Sequence, residues 1–238
     1  MAENQMRLPL DGAIVINKPK GWTSFDVVAK LRGMLKPKKI GHTGTLDPMA
    51  TGVLVLCLGK ATKLAEKMIH LDKEYIAEVT FGGTSNTDDA EGEVTINKEA
   101  GVKSLVEIER TLKQFEGILQ QMPPQFSAKK VNGKRAYKLA REGKKVELKT
   151  SEVTIHELEL LSYKWPVLNI RVKCSKGTYL RSLARDLGEV LGVGGYLTAL
   201  QRTQVGPFLI QDAGQIEETT EKDLIPFGKV EGLIKSAS

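Results

Sequence analysis

The chain has 238 residues, of which 41% are hydrophobic and 27% are charged. This composition excludes fibrous and disordered proteins and predicts a globular fold with a substantial core. No apolar run approaches the ~20 residues of a membrane-spanning helix, and the start, MAENQMRLPLDG, lacks the apolar core of a signal peptide, so we expect a cytoplasmic protein that does not contact a membrane. The formal net charge of +6 permits a nucleic-acid partner without requiring one.

The chain begins with a predicted strand and helix. Residues 12–17 (GAIVIN) predict a buried strand, and the turn after it leads into a helix that Thr23 or Ser24 can cap, with Asp26 favourable in the first turn. Apolar side chains recur at helical spacing until a Lys-Pro step ends this helix. They are Val27, Val28, Leu31, Met34 and Leu35.

A glycine- and threonine-rich loop at 39–52 follows, and its length is typical of a functional loop. It runs into a continuous apolar strand at 53–58. A helix at 61–70, an alternating strand at 73–81 and a polar, turn-rich segment at 82–93 come next.

The second half predicts two helices and three strands. The helix at 104–115 has an apolar stripe formed by Leu105, Ile108, Leu112 and Phe115, and a Met-Pro-Pro step then breaks the chain. The predicted strands are 153–162, 167–174 and 198–205.

The helix at 178–191 buries a leucine stripe, Leu180, Leu183 and Leu187, whereas Arg181 and Arg185 share a different face. Strands and helices alternate without a strict βαβ rhythm along the chain. The predicted fold class is therefore α+β with a mixed sheet.

The two cysteines, Cys57 and Cys174, each lie in a β-like apolar run. Neither has a metal-type spacing to His42, His70 or His156. We interpret both as reduced packing residues. Since no other cluster of His, Cys and carboxylates forms a plausible metal site, we predict neither a metal nor a cofactor.

The stretch 40–59, IGHTGTLDPMATGVLVLCLG, is the most informative part of the chain. It is a glycine-punctuated loop that carries His42, Asp47 and several hydroxyls into a rigid strand, which is a common way to present a reactive carboxylate. An alternative is that Asp47-Pro48 forms only a turn, because Asp bonds its own backbone there. No phosphate-loop, dinucleotide, nucleophile-elbow or zinc pattern occurs in it.

The segment GHTGTLDPMATGVL closely resembles the signature loop of the TruB family, the bacterial-type tRNA pseudouridine synthases that modify uridine 55. Four more segments match that family in order: NKPKGWTS near the start, DKEY at 72–75, NTDDAEG at 86–92 and CSKGTYLRSLARDLG at 174–188. The resemblance implies a pseudouridine synthase fold, with a mixed, mostly antiparallel sheet and flanking helices around an active-site cleft. It also implies isomerisation of a uridine in the T arm of tRNA, with no cofactor.

The resemblance assigns catalytic roles to three residues. Asp47 matches the essential aspartate that acts on the target nucleotide, Arg181 the arginine that pairs with that carboxylate, and Tyr75 the tyrosine that packs against the target base. His42 matches the histidine that enters the T loop and holds the base out of its stack. Taken singly, Tyr75 could be half-buried core, His42 an ordinary polar residue and Arg181 a cover for its helix.

Further residues are carried over as substrate contacts. Lys18 and Pro19 match a structural motif near the cleft, although they could form only a turn. Leu200 matches an apolar residue of the pocket wall. Asp89 and Lys176, which lie within the matching segments, are assigned to RNA contacts.

A basic segment lies at 123–150. Nine basic and two acidic residues fall between Lys129 and Lys149. A charge run of this kind is often just a solvated face, but beside the resemblance we interpret it, with Lys129 and Lys130 as named contacts, as a site for the tRNA backbone.

We predict a catalytic domain at 1–210 and a short extension at 211–238. Many family members carry a C-terminal RNA-binding domain of the PUA type, but only 30 residues follow Phe208, fewer than the ~50 of a small domain. The chain is then a short member or a truncated one. The expected partner is the T stem-loop of tRNA, bound by a monomer without an obligate protein partner.

Two other functions are open. A non-catalytic RNA chaperone would open and refold the T arm, and this activity could also accompany catalysis. The catalytic subunit of a guide-RNA-directed pseudouridylase is a second alternative, against which the short C-terminus and the absence of extended basic tails argue. The residues do not decide whether Asp47 attacks C1′, attacks C6 or removes a sugar proton.

Overall fold

The computed structural model of the chain describes residues 9–127, 130–131, 134–135 and 148–237. The chain divides into two compact units. The first unit consists of Met1–Lys73 and Gln201–Ser238, and the second of Glu74–Leu200.

The strands of the described residues, in chain order, are β1 (Gly12–Lys18), β2 (Ile40–His42), β3 (Thr51–Leu58), β4 (Lys73–Phe81), β5 (Gly83–Ser85), β6 (Val94–Ile96), β7 (Gly117–Gln121), β8 (Lys130–Val131), β9 (Lys134–Arg135), β10 (Ser151–Lys164), β11 (Val167–Cys174), β12 (Gly195–Val205), β13 (Phe208–Leu209) and β14 (Ile225–Pro226). The α-helices are α1 (Ser24–Leu35), α2 (Ala65–Ile69), α3 (Leu105–Lys113), α4 (Leu180–Val190) and α5 (Phe227–Ser236). The strand pairing is mixed and mostly antiparallel, so the predicted α+β class is confirmed.

In the first unit, β3 is the central strand. It pairs antiparallel with β1 along the whole length of β1 and antiparallel with β2, while Gln201 and Arg202 of β12 pair with it in parallel. All residues of β3 after Thr51 are buried. A continuous apolar run is typical of a strand covered on both faces, as the sequence predicted.

Alternate residues of β1 and β3 supply two different cores, because successive side chains of a strand point to opposite faces. Ile14 and Leu56 pack with the buried face of α1. Val15 and Val55 pack in the other core, together with α2 and α5. Residues after 210 thus contribute β14 and α5 to the first unit, and the division at 210 stays a prediction.

The ends of α1 lie where the sequence predicted them. The Thr23 side chain accepts from the backbone N–H of Asp26, whose carboxylate accepts from the N–H of Thr23, and this capping box starts the helix. Lys36 ends it in the left-handed conformation, with φ 50°. The helix predicted at 61–70 was wrong in part, because Gly59–Leu64 forms a 3-10 helix and only Ala65–Ile69 is α-helical.

The strands of the second unit follow the order β12, β4, β11, β10, β7, where β12 contributes its residues up to Leu200. Of these, β4 and β11 match the predicted strands. The strand β7 was missed, because it is short and mostly exposed, with Ile118 70% accessible. Edge strands of this kind carry little hydrophobic signal.

Two predictions about helix faces need correction. In α3, Ile108 and Leu112 are buried as expected, but Leu105 is 49% exposed because it is the first helical residue and lies one turn before the buried positions. In α4 the predicted leucine stripe is buried, yet Arg181 on the other face is only 7% exposed. A buried arginine must have acceptors within reach.

No helix within the described ranges is long and apolar enough to cross a membrane.

Candidate active site

Asp47 lies in a loop whose backbone is fixed immediately before it. The Ser24 hydroxyl accepts a 2.8 Å hydrogen bond from the N–H of Leu46 and lies 3.2 Å from the carbonyl oxygen of the same residue. After Asp47, its carbonyl accepts from the N–H of Ala50 at 3.0 Å, which closes a turn. Asp47 itself is half-buried, so the residue stands on a backbone that hydrogen bonds hold in place while part of the residue stays accessible.

The other neighbour of Asp47 is held by the segment that follows β1. The carbonyl of Pro48 accepts from the N–H of Gly21 at 2.8 Å and from the Lys18 ammonium at 3.4 Å. Lys18 is fully buried and also donates to the carbonyls of Pro19 and Trp22, at 2.9 and 2.6 Å. Lys18, the last residue of β1, therefore ties the segment that follows it to the Asp47 loop. The assignment of Lys18 and Pro19 as substrate contacts stays a prediction.

Arg202, which the sequence did not predict as a site residue, bonds to the chain on both sides of Asp47. Its side chain is 1% exposed, and its Nε donates to the carbonyl of Val53 at 2.7 Å while Nη2 donates to the carbonyl of Gly44 at 3.2 Å. No carboxylate of the described residues lies within ion-pair distance of it. The sequence did offer a sign of this role. Arg202 lies two positions after Leu200 in a predicted strand, which places a charged residue on the same face as an apolar one.

Gly52 explains how Arg202 comes so close to the loop. It has φ 102°, and a Cβ at this position would lie 2.2 Å from the carbonyl oxygen of Arg202, its partner in the parallel β3–β12 register. Only glycine permits both this conformation and this approach. The glycine of the ATG step after Asp47 is thus required by backbone packing.

His42 lies on β2, opposite Leu56 of β3, and is half-buried. The next residue, Thr43, is fully buried, and its N–H donates to the carbonyl of Val55 at 3.0 Å. The first unit therefore brings Lys18, His42 and Asp47 onto one continuous, hydrogen-bonded framework.

In the second unit, Arg181 forms a buried ion pair with Asp89. Its Nη1 lies 3.4 Å from Oδ2 of Asp89, and the two residues are 7% and 3% exposed. Arg181 also donates to the carbonyls of Thr87 and Phe126, at 3.2 and 3.0 Å. Asp89 Oδ1 in turn accepts from the Thr87 hydroxyl at 2.6 Å. The predicted RNA contact of Asp89 and the predicted pairing of Arg181 with Asp47 stay predictions.

A second ion pair lies one helical turn further along α4. Arg185 Nη1 is 2.9 Å from Oδ2 of Asp88, and Nη2 donates to the carbonyl of Met122 at 3.0 Å. The Ser182 hydroxyl donates to the same carbonyl at 2.7 Å. Burial raises the pKa of Asp88, and the Arg185 charge opposes that shift. Two consecutive aspartates thus hold two arginines spaced four residues apart.

The remaining predicted residues of the second unit have diverse settings. Tyr75, on β4, and Leu200, on β12, are 8% and 9% exposed, and Lys176 is exposed in the turn before α4. Lys129 lies outside the described residues, and only the backbone of Lys130 is described, as part of β8. The roles assigned to these residues stay predictions.

The cysteines have packing roles, as predicted. Cys57 and Cys174 are both buried, and neither forms a disulfide bond. Burial raises the pKa of the Cys57 thiol to about 12, which makes it inert at neutral pH. Among the side chains that the structure describes, no group of three or more His, Cys, Asp or Glu is placed to hold a metal ion.

Comparison with known proteins identifies the family. Residues 32–180 match the N-terminal domain of the TruB family pseudouridylate synthases, and residues 181–224 match the C-terminal domain of tRNA pseudouridylate synthase B. The chain is 51% identical over 220 residues to the tRNA pseudouridine synthase B of Francisella tularensis subsp. tularensis (strain WY96-3418) and 53% identical to that of Francisella philomiragia subsp. philomiragia. Each alignment covers 92% of this chain and 72% of the relative.

Solved structures agree on the fold. An archaeal box H/ACA sRNP Nop10-Cbf5 complex contains a chain 27% identical with a TM-score of 0.66, covering 88% of this chain and 52% of that one. A Cbf5-Nop10-Gar1 complex contains one 28% identical with a TM-score of 0.73, covering 92% and 61%. The predicted pseudouridine synthase fold is confirmed, and this chain belongs to the TruB family of pseudouridylate synthases.

Proposed function

We propose that this chain isomerises uridine 55 in the T arm of tRNA to pseudouridine. The observation that carries the proposal is the half-buried Asp47 on a loop fixed by hydrogen bonds to both neighbouring residues. Such preorganisation is what a catalytic group needs, since misplacement by about 1 Å can reduce a rate by roughly a hundred-fold. The names of the relatives, tRNA pseudouridine synthase B, support tRNA as the substrate.

The reaction needs little from outside the protein. The C1′–N1 bond breaks, the uracil turns, and C5 bonds to C1′; N1 gains a proton and C5 loses one, so atoms and electrons balance without a redox partner. A carboxylate serves as nucleophile or as base in such a sequence. Asp47 is the proposed group, acting at C1′, at C6 or on a sugar proton, and the proposal needs no cofactor.

The other roles follow from the residue types. A guanidinium keeps a neighbouring carboxylate ionised and orients it through two donors, and Arg181 is the proposed partner of Asp47. Its contacts with Asp89 and two backbone carbonyls already fix the position of its side chain. A uridine in a folded loop must be flipped out before reaction, and stacking on Tyr75 or His42 would offset part of the unstacking cost.

We further propose that the chain acts alone and on free tRNA in the cytoplasm. Guide-directed enzymes work inside ribonucleoproteins, and two solved neighbours belong to such complexes, but they are only 27% and 28% identical to this chain. Identity to the tRNA enzymes is 51% and 53%. This difference favours a stand-alone tRNA enzyme over the guide-directed alternative.

The test is to incubate the purified chain with an unmodified tRNA transcript, without guide RNA and with EDTA, and to map pseudouridine nucleotide by nucleotide. The proposal predicts pseudouridine at position 55 only. The same transcript with uridine 55 replaced by cytidine is the matched control and should stay unmodified. No product, or product only with a guide RNA or an added partner, would refute the proposal.

A further inference from the structure

Five exposed lysines lie on two short segments of the first unit. We refer to them as the lysine surface: Lys36, Lys38, Lys39, Lys60 and Lys63. The first segment joins α1 to β2, and the second is the 3-10 helix after β3. In the sequence they lie outside the basic segment at 123–150.

The backbone brings the two segments together. The N–H of Gly59 donates to the carbonyl of Lys39 at 2.9 Å, and Ile40 is the partner of Leu58 in the β2–β3 register. Lys39 therefore accepts a hydrogen bond from the residue directly before Lys60, and the two lysines lie on neighbouring stretches of backbone.

A shared aspartate places Lys38 in the same cluster. Asp11 accepts from the N–H of Lys60 at 2.8 Å, and its Oδ2 lies 3.4 Å from the Lys60 ammonium. The backbone N–H of Lys60 is the main cause that holds the pKa of Asp11 below its ordinary value, and the charges of Lys60 and Lys38 also lower it. The ammonium groups of Lys38 and Lys60 thus both act on one carboxylate, and Lys39 is adjacent to Lys38 in the chain.

Folding alone does not account for this clustering. Lys36 has a local reason, since it ends α1, where carbonyls attract cations. No helix end explains the positions of Lys38, Lys39 and Lys60. The ion pair of Lys60 with Asp11 leaves 71% of the Lys60 side chain exposed, and exposed ion pairs contribute little to the stability of the fold. The Asp11 carboxylate offsets only part of the charge of the five lysines, and like charges held together oppose folding. The surface therefore fits a polyanionic ligand.

The position of the surface identifies which polyanion. Lys39 directly precedes β2, the strand that carries His42, and three residues of extended chain span about 10 Å. Because His42 is proposed to enter the T loop, phosphates beside that loop would lie within reach of the lysines. Resting on the proposed function, we propose that the lysine surface binds the phosphate backbone of the substrate tRNA next to the T loop.

The test compares two variants that remove the same charge. One is the triple variant K38Q/K39Q/K60Q. The control is K222Q/K229Q/K235Q, whose three lysines are also exposed and also belong to the first unit. The affinity for an unmodified tRNA transcript is measured over a range of salt concentrations, and single-turnover pseudouridine formation at saturating tRNA is measured beside it.

We expect the slope of log K against log salt to fall by about 2–3 in the first variant, since each lost phosphate contact removes about one unit. The control should keep the wild-type slope, and K38R/K39R/K60R should keep most of it. The saturated rate should be unchanged in all variants, because these side chains contact no reacting atom.

Equal slopes for the two Gln variants would overturn the proposal. Failure of the isomerase proposal has a different signature: the wild-type chain would form no pseudouridine, whereas its salt slope would still depend on the lysine surface.

Discussion

Replacing Arg202 with methionine should slow the reaction far more than its effect on stability explains. The substitution keeps much of the side-chain volume but removes the donors to the carbonyls of Val53 and Gly44. A hydrogen bond to a charged group contributes about 1.5–3 kcal/mol, so the two together contribute about 3–6 kcal/mol at most. Relief of the cost of burying a guanidinium offsets part of this. We therefore expect a loss of about 2–4 kcal/mol in the free energy of unfolding.

The rate effect follows from where those bonds act. Gly44 lies three residues before Asp47, and Val53 begins the apolar run after the loop. Without Arg202, the segments before and after Asp47 can both shift, and a shift of about 1 Å in a catalytic group reduces the rate by roughly a hundred-fold. Arg202→Lys keeps the charge but cannot bond both carbonyls as a planar fork does, so its rate should fall between those of wild type and Arg202→Met.

The assay pairs denaturant unfolding with single-turnover pseudouridine formation at saturating tRNA. Ile234→Ala is the matched control, because truncating this buried residue of α5 should cost a similar 2–5 kcal/mol without touching the Asp47 loop. The control should keep the wild-type rate. The reasoning would be refuted if Arg202→Met, still folded under assay conditions, turned over as fast as Ile234→Ala.

Three further outcomes are expected. Gly52→Ala should destabilise the chain by more than about 2 kcal/mol in urea unfolding, because its Cβ would collide with the backbone of Arg202; a midpoint equal to that of wild type would contradict the packing described. Arg181→Lys should bind tRNA normally yet lose at least about tenfold in single-turnover rate, since an ammonium lacks the two-point grip; a wild-type rate would show that charge alone suffices. The pKa of Cys57 is about 12 in the folded chain against an ordinary 9.0. Between these two pH values the thiol keeps its proton in the folded state and loses it in the unfolded state. The free energy of unfolding should therefore fall by about 1.4 kcal/mol for each unit by which the pH rises in this range. Denaturant titrations of Cys57→Ala should lack that component, and identical pH slopes for variant and wild type would count against it.

Local patterns predicted the elements whose signals are strong. The apolar run at 53–58, the alternation at 73–81 and the capping residues around Thr23 all describe interactions within a few residues, and the structure confirms them. The missed strand β7 has mostly exposed side chains and is placed by its pairing with β10, whose residues are 30 to 38 positions away in the chain. Short edge strands lack the periodicity that reveals covered ones.

The site was predictable in part for the same reason. The loop around Asp47 carries an unusual composition, but residue types alone left both a reactive carboxylate and a simple turn open, and the resemblance to the TruB family favoured the carboxylate. The support behind it was not visible, because Ser24, Lys18 and Arg202 act through backbone atoms of residues 22 to 158 positions away. Because every residue has a backbone carbonyl, the residue types do not show which carbonyl accepts a hydrogen bond. The pairing of Arg181 with Asp89 was likewise hidden, since it links residues on separate motifs.

Asp47→Asn tests the central claim most directly, because it keeps the shape of the side chain and removes the anion. Single-turnover pseudouridine formation should fall by at least roughly a thousand-fold, while the free energy of unfolding and the affinity for tRNA change little, since binding rests on phosphate contacts. An RNA chaperone needs no carboxylate and would behave the same in both forms. If the Asn variant binds tRNA normally and still forms pseudouridine at the wild-type rate, Asp47 is not the catalytic group and the account is wrong.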